Sequence, residues 1–310
     1  MRAYKNGVPA PSESLSALVA AEIAIAVDPR VEQLAAAVAA QHGEASLAVL
    51  FYGSCLRQAE LDGLMLDFYL IVSDYRAAYG ARWLATANQL LPPNVFPFEA
   101  DGLSAKYAVL SSVDFTRLAS SETRNVSVWA RFAQPSRLVW TRDASVRDGI
   151  VAAITGSAPA LLSAARPMLP DNIAPLDLWR GAFALTYAAE LRAERGGRAQ
   201  SVVEAEPERY AAFSGPALAA AGIELDAPVS PADRTRAVRL WRLRRLEGKA
   251  LTIARLSKAS LTFAGGIDYL AWKINRHAGT RIALRPWQRR WPILGAITLL
   301  PRLLRRGAIR

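Results

Sequence analysis

The sequence predicts an α/β domain built on a mixed sheet, then an all-helical domain, then a basic, amphipathic C-terminal segment. Three observations carry this prediction. Short apolar runs bounded by turn residues, LAVLFY (47–52), LMLDFYLIV (64–72), KYAVLS (106–111) and RLVW (137–140), are interleaved with helical patterns but show no regular βαβ repeat. From Pro175 to about Ala254 the pattern is helical throughout. The charge is polarised: residues 231–310 hold nineteen Lys/Arg and three Asp/Glu, a balance of +16, while the first 230 carry −5.

Taken in order, residues 1–14 read as a disordered lead-in. Ser12 or Ser14 caps a helix reaching Val27, and Pro29–Gln41 reads as a second, Ala-rich helix ending before Gly43. The first two strands follow. Tyr75–Leu91 is helical by pattern and is stopped by Pro92-Pro93. Strands at Lys106–Ser111 and Arg137–Trp140 enclose a helical stretch, Asp114–Phe132, and Ser145–Leu169 reads as helical with breaks near Gly156 and Pro159. The first domain then spans 15–166, Pro167–Pro170 form a linker, and the helical domain spans 171–257, interrupted at Gly196-Gly197 and between Gly215 and Pro231. The last segment is 258–310.

The first two strands carry the chemistry. Leu47–Tyr52 runs into a Gly53-Ser54 turn, and thirteen positions after Ser54 a single acid, Asp67, sits inside the apolar second strand. Gly53 leaves room for a phosphate to approach the backbone, and Ser54 offers a hydroxyl and an N–H. A carboxylate in a buried strand is costly unless compensated, and beside phosphates a divalent metal is the usual compensation. Strand, Gly-Ser turn and Asp-bearing strand resemble the opening of the nucleotidyltransferase fold. There the turn holds a nucleoside triphosphate and the Asp holds Mg²⁺. The plain alternative is an ordinary turn between two strands. The general pattern has a second carboxylate two residues on, where alternation returns to the same face, and this chain has Tyr69 there. Asp74, at the far end of the strand, is a second ligand or a helix cap.

Composition excludes several classes. The single cysteine, Cys55, rules out an intramolecular disulfide and a Cys-based zinc cluster, and two histidines, His42 and His277, rule out a His-rich metal site. The opening stretch is polar and no run of eighteen uncharged apolar residues exists, so neither a signal peptide nor a membrane-spanning helix is expected. The basic last quarter calls for nucleic acid, an anionic membrane surface or phosphate-bearing substrates. Its end places Trp287 and Trp291 with several Leu and Ile among Arg289, Arg290, Arg302, Arg305 and Arg306. Aliphatic and aromatic groups flanked by arginines describe a segment lying in a membrane interface. The alternatives are a tail packed on the protein's own core, or a basic arm for RNA.

Several stretches together resemble one family. Tyr52-Gly53-Ser54, the apolar Leu66-Asp67-Phe68 strand leading to Asp74, and Lys106–Ser111 are similar to the YGS, LDF and KYGVIS elements of the mitochondrial-type phosphatidate cytidylyltransferases, the Tam family of CDP-diacylglycerol synthases. Ala108 stands for the family's Gly. WARFAQP (129–135) resembles AGRLxKP through Arg131 and Pro135, and TYAAELR (186–192) resembles SYxGDFRM, with Glu190 for Asp and Arg192 matching Arg. Lys258–Gly265 is similar to SLKGILTAG. The resemblance covers roughly 47–275, in the family's order. The histidine that the family carries after its acidic turn has no counterpart in Tyr75–Leu91.

The resemblance implies a CTP:phosphatidate cytidylyltransferase that makes CDP-diacylglycerol and pyrophosphate with Mg²⁺. It would work as a peripheral enzyme on the cytoplasmic face of the cell membrane, with no nucleic-acid partner. Asp67 would hold Mg²⁺, with Asp74 as the second candidate. Tyr52, Gly53, Ser54 and Lys106 would hold the nucleotide, and Lys106 and Arg131 would neutralise phosphates. Glu190 and Arg192 would line the acceptor side, unless they simply form a pair within a helix. Two other readings stay open: a soluble nucleotidyltransferase acting on RNA, a protein or a small molecule, and a non-catalytic membrane- or nucleic-acid-binding protein on a degenerate scaffold. Oligomeric state is not legible.

Overall fold

The computed structural model describes residues 14–58, 60–190, 198–262 and 285–286. Helix α1 (Leu15–Ile23) starts where the Ser14 hydroxyl accepts the Ala17 N–H at 3.1 Å, and α2 (Pro29–Ala40) starts at the Asp28 cap with proline in its first turn. Strand β1 (Ser46–Tyr52), a short 3₁₀ turn (Ser54–Arg57) and β2 (Met65–Val72) follow as expected. The helix expected over 75–91 is two helices, α3 (Tyr75–Ala78) and α4 (Arg82–Leu90), separated around Gly80.

One strand was not expected. Residues Asn94–Ala100 form β3, which turns through Asp101 and Gly102, both at positive φ, into β4 (Leu103–Ser111). Pro97 argues against a central strand, and β3 is an edge strand, where a missing N–H is tolerated. The helix expected over 114–132 reduces to α5 (Ser112–Leu118) and α6 (Trp129–Phe132), joined by a loop. Strand β5 (Ser136–Thr141) completes a five-stranded mixed sheet of order β3-β4-β2-β1-β5, in which only β2 and β4 run parallel.

The remaining helices are α7 (Ala144–Thr155), α8 (Ser157–Ala165), α9 (Pro175–Ala189), α10 (Arg198–Glu204), α11 (Pro207–Ala221) and α12 (Pro231–Thr262). Helix α11 runs through Gly215 and Pro216 and ends on Gly222 in the left-handed region, so the break expected at Gly215 comes seven residues later. The stretch Ala144–Met168 is long and apolar enough, by length and composition, to cross a membrane. It is broken at Gly156 into α7 and α8, and half of its apolar window is buried inside the protein.

Strand alternation divides the core in two. Val49, Phe51, Phe68, Leu70 and Val109 face α2, α3 and α4. Leu50, Tyr69, Ile71 and Leu110 face the other way, into a continuous core with α1, α5–α9, α11 and Trp241 of α12. The helices after residue 170 therefore cover the same sheet face that carries Asp67. The buried Trp179 and Trp241 indoles donate to Ser214 Oγ at 3.0 Å and to the Ala164 carbonyl at 2.8 Å.

Candidate active site

The antiparallel register of β1 and β2 sets Tyr52 opposite Asp67, and the parallel register of β2 and β4 sets Lys106 beside Asp67. Lys106 Nζ lies 2.9 Å from Asp67 Oδ1, and both side chains keep partial exposure, 29% and 21%. The other carboxylate oxygen, Oδ2, is 3.2 Å from where a Cβ on Gly53 would stand. Gly53 itself has φ +93°, a region that side chains other than hydrogen rarely enter. The turn is thus pressed against the carboxylate, and only glycine allows it. Replacing Gly53 with Val is expected to strain the turn and push Asp67 off its position, so the melting temperature and the binding of a phosphate-bearing ligand should both fall. A variant that melts and binds like wild type would mark an ordinary, adaptable turn.

Two residues after Asp67 on the same face, Tyr69 occupies the place of the second carboxylate. It is 2% exposed, and its hydroxyl accepts a hydrogen bond from Arg131 Nη1 at 3.1 Å. The guanidinium also lies 5.2 Å from the Tyr52 ring centre and 5.8 Å from that of Tyr69. Short helix α6 brings it there. The buried Trp129 and Phe132 anchor that helix, and Phe132 packs on both tyrosines. Burial works against the charge on Arg131, but the Tyr69 and Tyr52 hydroxyls and the Glu190 and Asp67 carboxylates outweigh it, so its pKa rises above the usual arginine value. It is a fixed cation on the sheet face.

Helix α12 contributes a further cation. Ser127 accepts from Arg131 Nη1 at its carbonyl (3.0 Å) and from Arg255 Nη1 at its hydroxyl (3.0 Å). Arg255 Nε also donates to the Pro92 carbonyl at 2.8 Å. One turn on, Lys258 donates to the carbonyls of Leu91 and Pro93. Burial, reinforced by Arg255, pushes the Lys258 pKa down to about 7. Glu190, at the end of α9, acts electrostatically on both Arg131 and Arg255. Helices α9 and α12 meet at Gly248, where any Cβ would run into the Ala189 carbonyl. That crossing holds Glu190 and the Arg255 turn over the sheet.

The structure therefore brings together Tyr52, Gly53, Asp67, Lys106, Arg131 and Glu190, with Ser54 opening the 3₁₀ turn beside them. It does not bring Asp74 to them. Asp74 lies beyond the opposite end of β2, about 23 Å along the strand from Asp67 at roughly 3.3 Å per residue. There it caps α3, accepting the Arg76 and Ala77 N–H groups at 2.6 and 3.2 Å. Asp74 is a cap and shares no metal with Asp67. Arg192 and the tail residues Trp287, Arg289, Arg290, Trp291, Arg302, Arg305 and Arg306 lie outside the described residues. His42 is on the opposite sheet face, between the Ala78 carbonyl (2.8 Å) and the Tyr107 hydroxyl (3.2 Å).

Sequence reading missed Ser127, Arg255 and the role of Tyr69. The period-two rule did place Tyr69 on the Asp67 face, but its bond to Arg131 spans sixty-two residues and has no local signal.

Magnesium takes oxygen ligands, commonly one or two carboxylates together with substrate phosphates and water. Asp67 supplies one carboxylate here, and Tyr69 and Arg131 fill the place of the other. Among the described residues no group of three or more His, Cys, Asp or Glu could hold a metal ion. Asp67 would offer a metal ion one carboxylate ligand, with Lys106 Nζ already 2.9 Å from its Oδ1, and a further ligand would have to come from a bound anion or water.

No family model matches the chain, and no curated protein matches it. Among solved structures, a nucleotidyltransferase-like protein from Exiguobacterium sibiricum is similar over 89% of this chain and 92% of its own, at 11% sequence identity and a TM-score of 0.29. A likeness of that size carries no argument about fold or chemistry.

Proposed function

We propose that this chain is a nucleotidyltransferase that moves a nucleotidyl group from a nucleoside triphosphate to a phosphate-bearing acceptor, CTP and phosphatidate being the pair. One observation carries the reading. Residues scattered from Tyr52 to Glu190, linked in the sequence only by an ordered series of short motifs, converge on one sheet face around Asp67. The cluster they form holds three cations, Lys106, Arg131 and Arg255, and two acids, Asp67 and Glu190. Such a balance suits a polyanion.

In the transfer, an acceptor phosphate oxygen attacks the α-phosphorus in line, the bond to the β-phosphate oxygen breaks, and pyrophosphate leaves. Positioning and charge neutralisation supply most of the catalysis. The Gly53-Ser54 turn lets the triphosphate approach the backbone beside Asp67. Lys106 and Arg131 neutralise charge on the transferred group and on the departing pyrophosphate. Tyr52 and Tyr69 hold the Arg131 guanidinium in place, and Glu190 balances part of the charge of Arg131 and Arg255. A magnesium ion on the triphosphate, held by Asp67, would add Lewis-acid neutralisation of the phosphates.

The test is to incubate purified protein with each labelled nucleoside triphosphate, Mg²⁺ and phosphatidate in detergent. A lipid-soluble labelled product, formed best with CTP, is expected. Label passing instead into RNA or protein would select another acceptor. Tyr69 in the second-carboxylate position favours one further reading, a nucleotide-binding protein without turnover, and tight binding with no product in any arm would select it.

A further inference from the structure

We propose that the outward face of α12 docks on an anionic lipid bilayer. Five exposed cations, Arg236, Arg239, Arg242, Arg245 and Lys249, lie along the helix. Between them Val238, Leu243 and Leu246 are 46%, 43% and 64% exposed, among the most exposed large apolar side chains in the described residues. At about 100° per residue these eight side chains fall within one half of the helix circumference. The only acids of α12, Asp233 and Glu247, fall in the other half. Glu247 is held there by Arg124 at 2.7 Å, and Asp233 accepts from the Ser230 hydroxyl at 2.7 Å. The inward half is fastened by the buried Ala237 and Trp241, and by Arg234, which donates to the Leu169 carbonyl and to Asp171.

The face is thus a rigid strip about 20 Å long, from Arg236 to Lys249 at 1.5 Å per residue. Its own charged side chains are all cationic, with Arg236 at its edge 3.9 Å from Asp233, and aliphatic groups are interleaved. That combination selects the occupant. A nucleic-acid backbone or an acidic peptide would satisfy the cations but leave Leu246 and Val238 against water. An anionic bilayer satisfies both, because arginine and lysine stems lie along the apolar boundary while their heads reach the phosphates. Apolar side chains at that depth are buried among the upper acyl carbons. This surface is distinct from the Asp67 site, and the proposal holds whichever nucleotide or acceptor that site takes.

The experiment is co-sedimentation of the full chain with vesicles of phosphatidylcholine, alone or mixed with phosphatidylglycerol, at low and high salt. Wild-type protein should partition onto the mixed vesicles and only weakly onto the neutral ones. Each cation near an anionic surface is worth about fivefold in partition, so Arg239→Glu/Arg242→Glu/Arg245→Glu should lose on the order of a hundredfold. The paired variant Leu243→Ser/Leu246→Ser should keep low-salt binding but lose most of what survives high salt. A Leu246→Cys chain bearing a polarity-sensitive dye should report an apolar environment on mixed vesicles only; its other cysteine, Cys55, is buried. The C-terminal arginines and tryptophans are intact in all three variants. Wild-type partitioning by both multiple variants, or a dye that stays in water while the protein sediments, would assign membrane contact to another segment and overturn the proposal. So would loss of RNA binding in the charge variant with no vesicle binding by wild type.

Discussion

Asp67→Asn is expected to reduce nucleotidyl transfer by about a thousandfold or more while leaving the fold intact. Asn has the same shape, so β2 keeps its register, and an amide oxygen can still accept from Lys106 in place of the 2.9 Å ion pair. What is lost is the negative charge, and with it the carboxylate that the Gly53 turn is pressed against and that would ligate a nucleotide-borne metal. Metal-based neutralisation of phosphate charge contributes several kcal/mol to such reactions, and each ~1.4 kcal/mol is a factor of ten in rate. The check is turnover across a Mg²⁺ titration, run beside a thermal melt. A variant that melts like wild type and turns over near-normally at saturating Mg²⁺ would remove Asp67 from the chemistry.

Arg131→Met tests the other half of the site. Methionine roughly fills the volume of the guanidinium stem but brings no charge and no donors. Removing one preorganised donor aimed at developing charge costs about a hundred- to a thousandfold in kcat, and a loss of that order is expected here. Stability should change less, because the Tyr69 hydroxyl and the Ser127 carbonyl each lose one hydrogen bond, on the order of 1 kcal/mol apiece, while a buried charge also disappears. Arg131→Lys should recover little, since a lysine keeps the charge but cannot stack as a plane between Tyr52 and Tyr69 or fork between the Tyr69 hydroxyl and Ser127. Tyr69→Phe removes the hydrogen bond and keeps the ring, so it should cost about tenfold or less. If Arg131→Met lowers only the melting temperature, with kcat/KM unchanged, the arginine is a structural plug over the tyrosine pair.

These predictions differ in how far they could be seen from the sequence. Asp67 was legible there, because a lone carboxylate inside an apolar run needs compensation, and its spacing from the Gly-Ser turn, by itself an ordinary feature, resembles a known motif. The strand pattern also determined that Tyr69 shares the Asp67 face, since side-chain direction alternates strictly along a strand. The Ser14 cap, the break at Gly156 and the stop at Pro92-Pro93 were equally local matters of backbone chemistry. Boundaries were less secure wherever tertiary packing overrode pattern. Strand β3 forms despite Pro97 because it needs to pair on one side only, and helix α11 continues through Gly215-Pro216 with Tyr210, Phe213, Ser214 and Ala217 buried on one face. Only the tertiary structure decided that Asp74 stands some seven residues from the site as a cap, and that Arg131 fills the space beside Tyr69. It also decided that Arg255, from a helix almost two hundred residues after Asp67, joins the same cluster through Ser127 and the field of Glu190. Those contacts depend on how α6 and α12 lie across the sheet. A crossing is determined by packing such as the Gly248–Ala189 contact, which leaves no periodic trace in the chain.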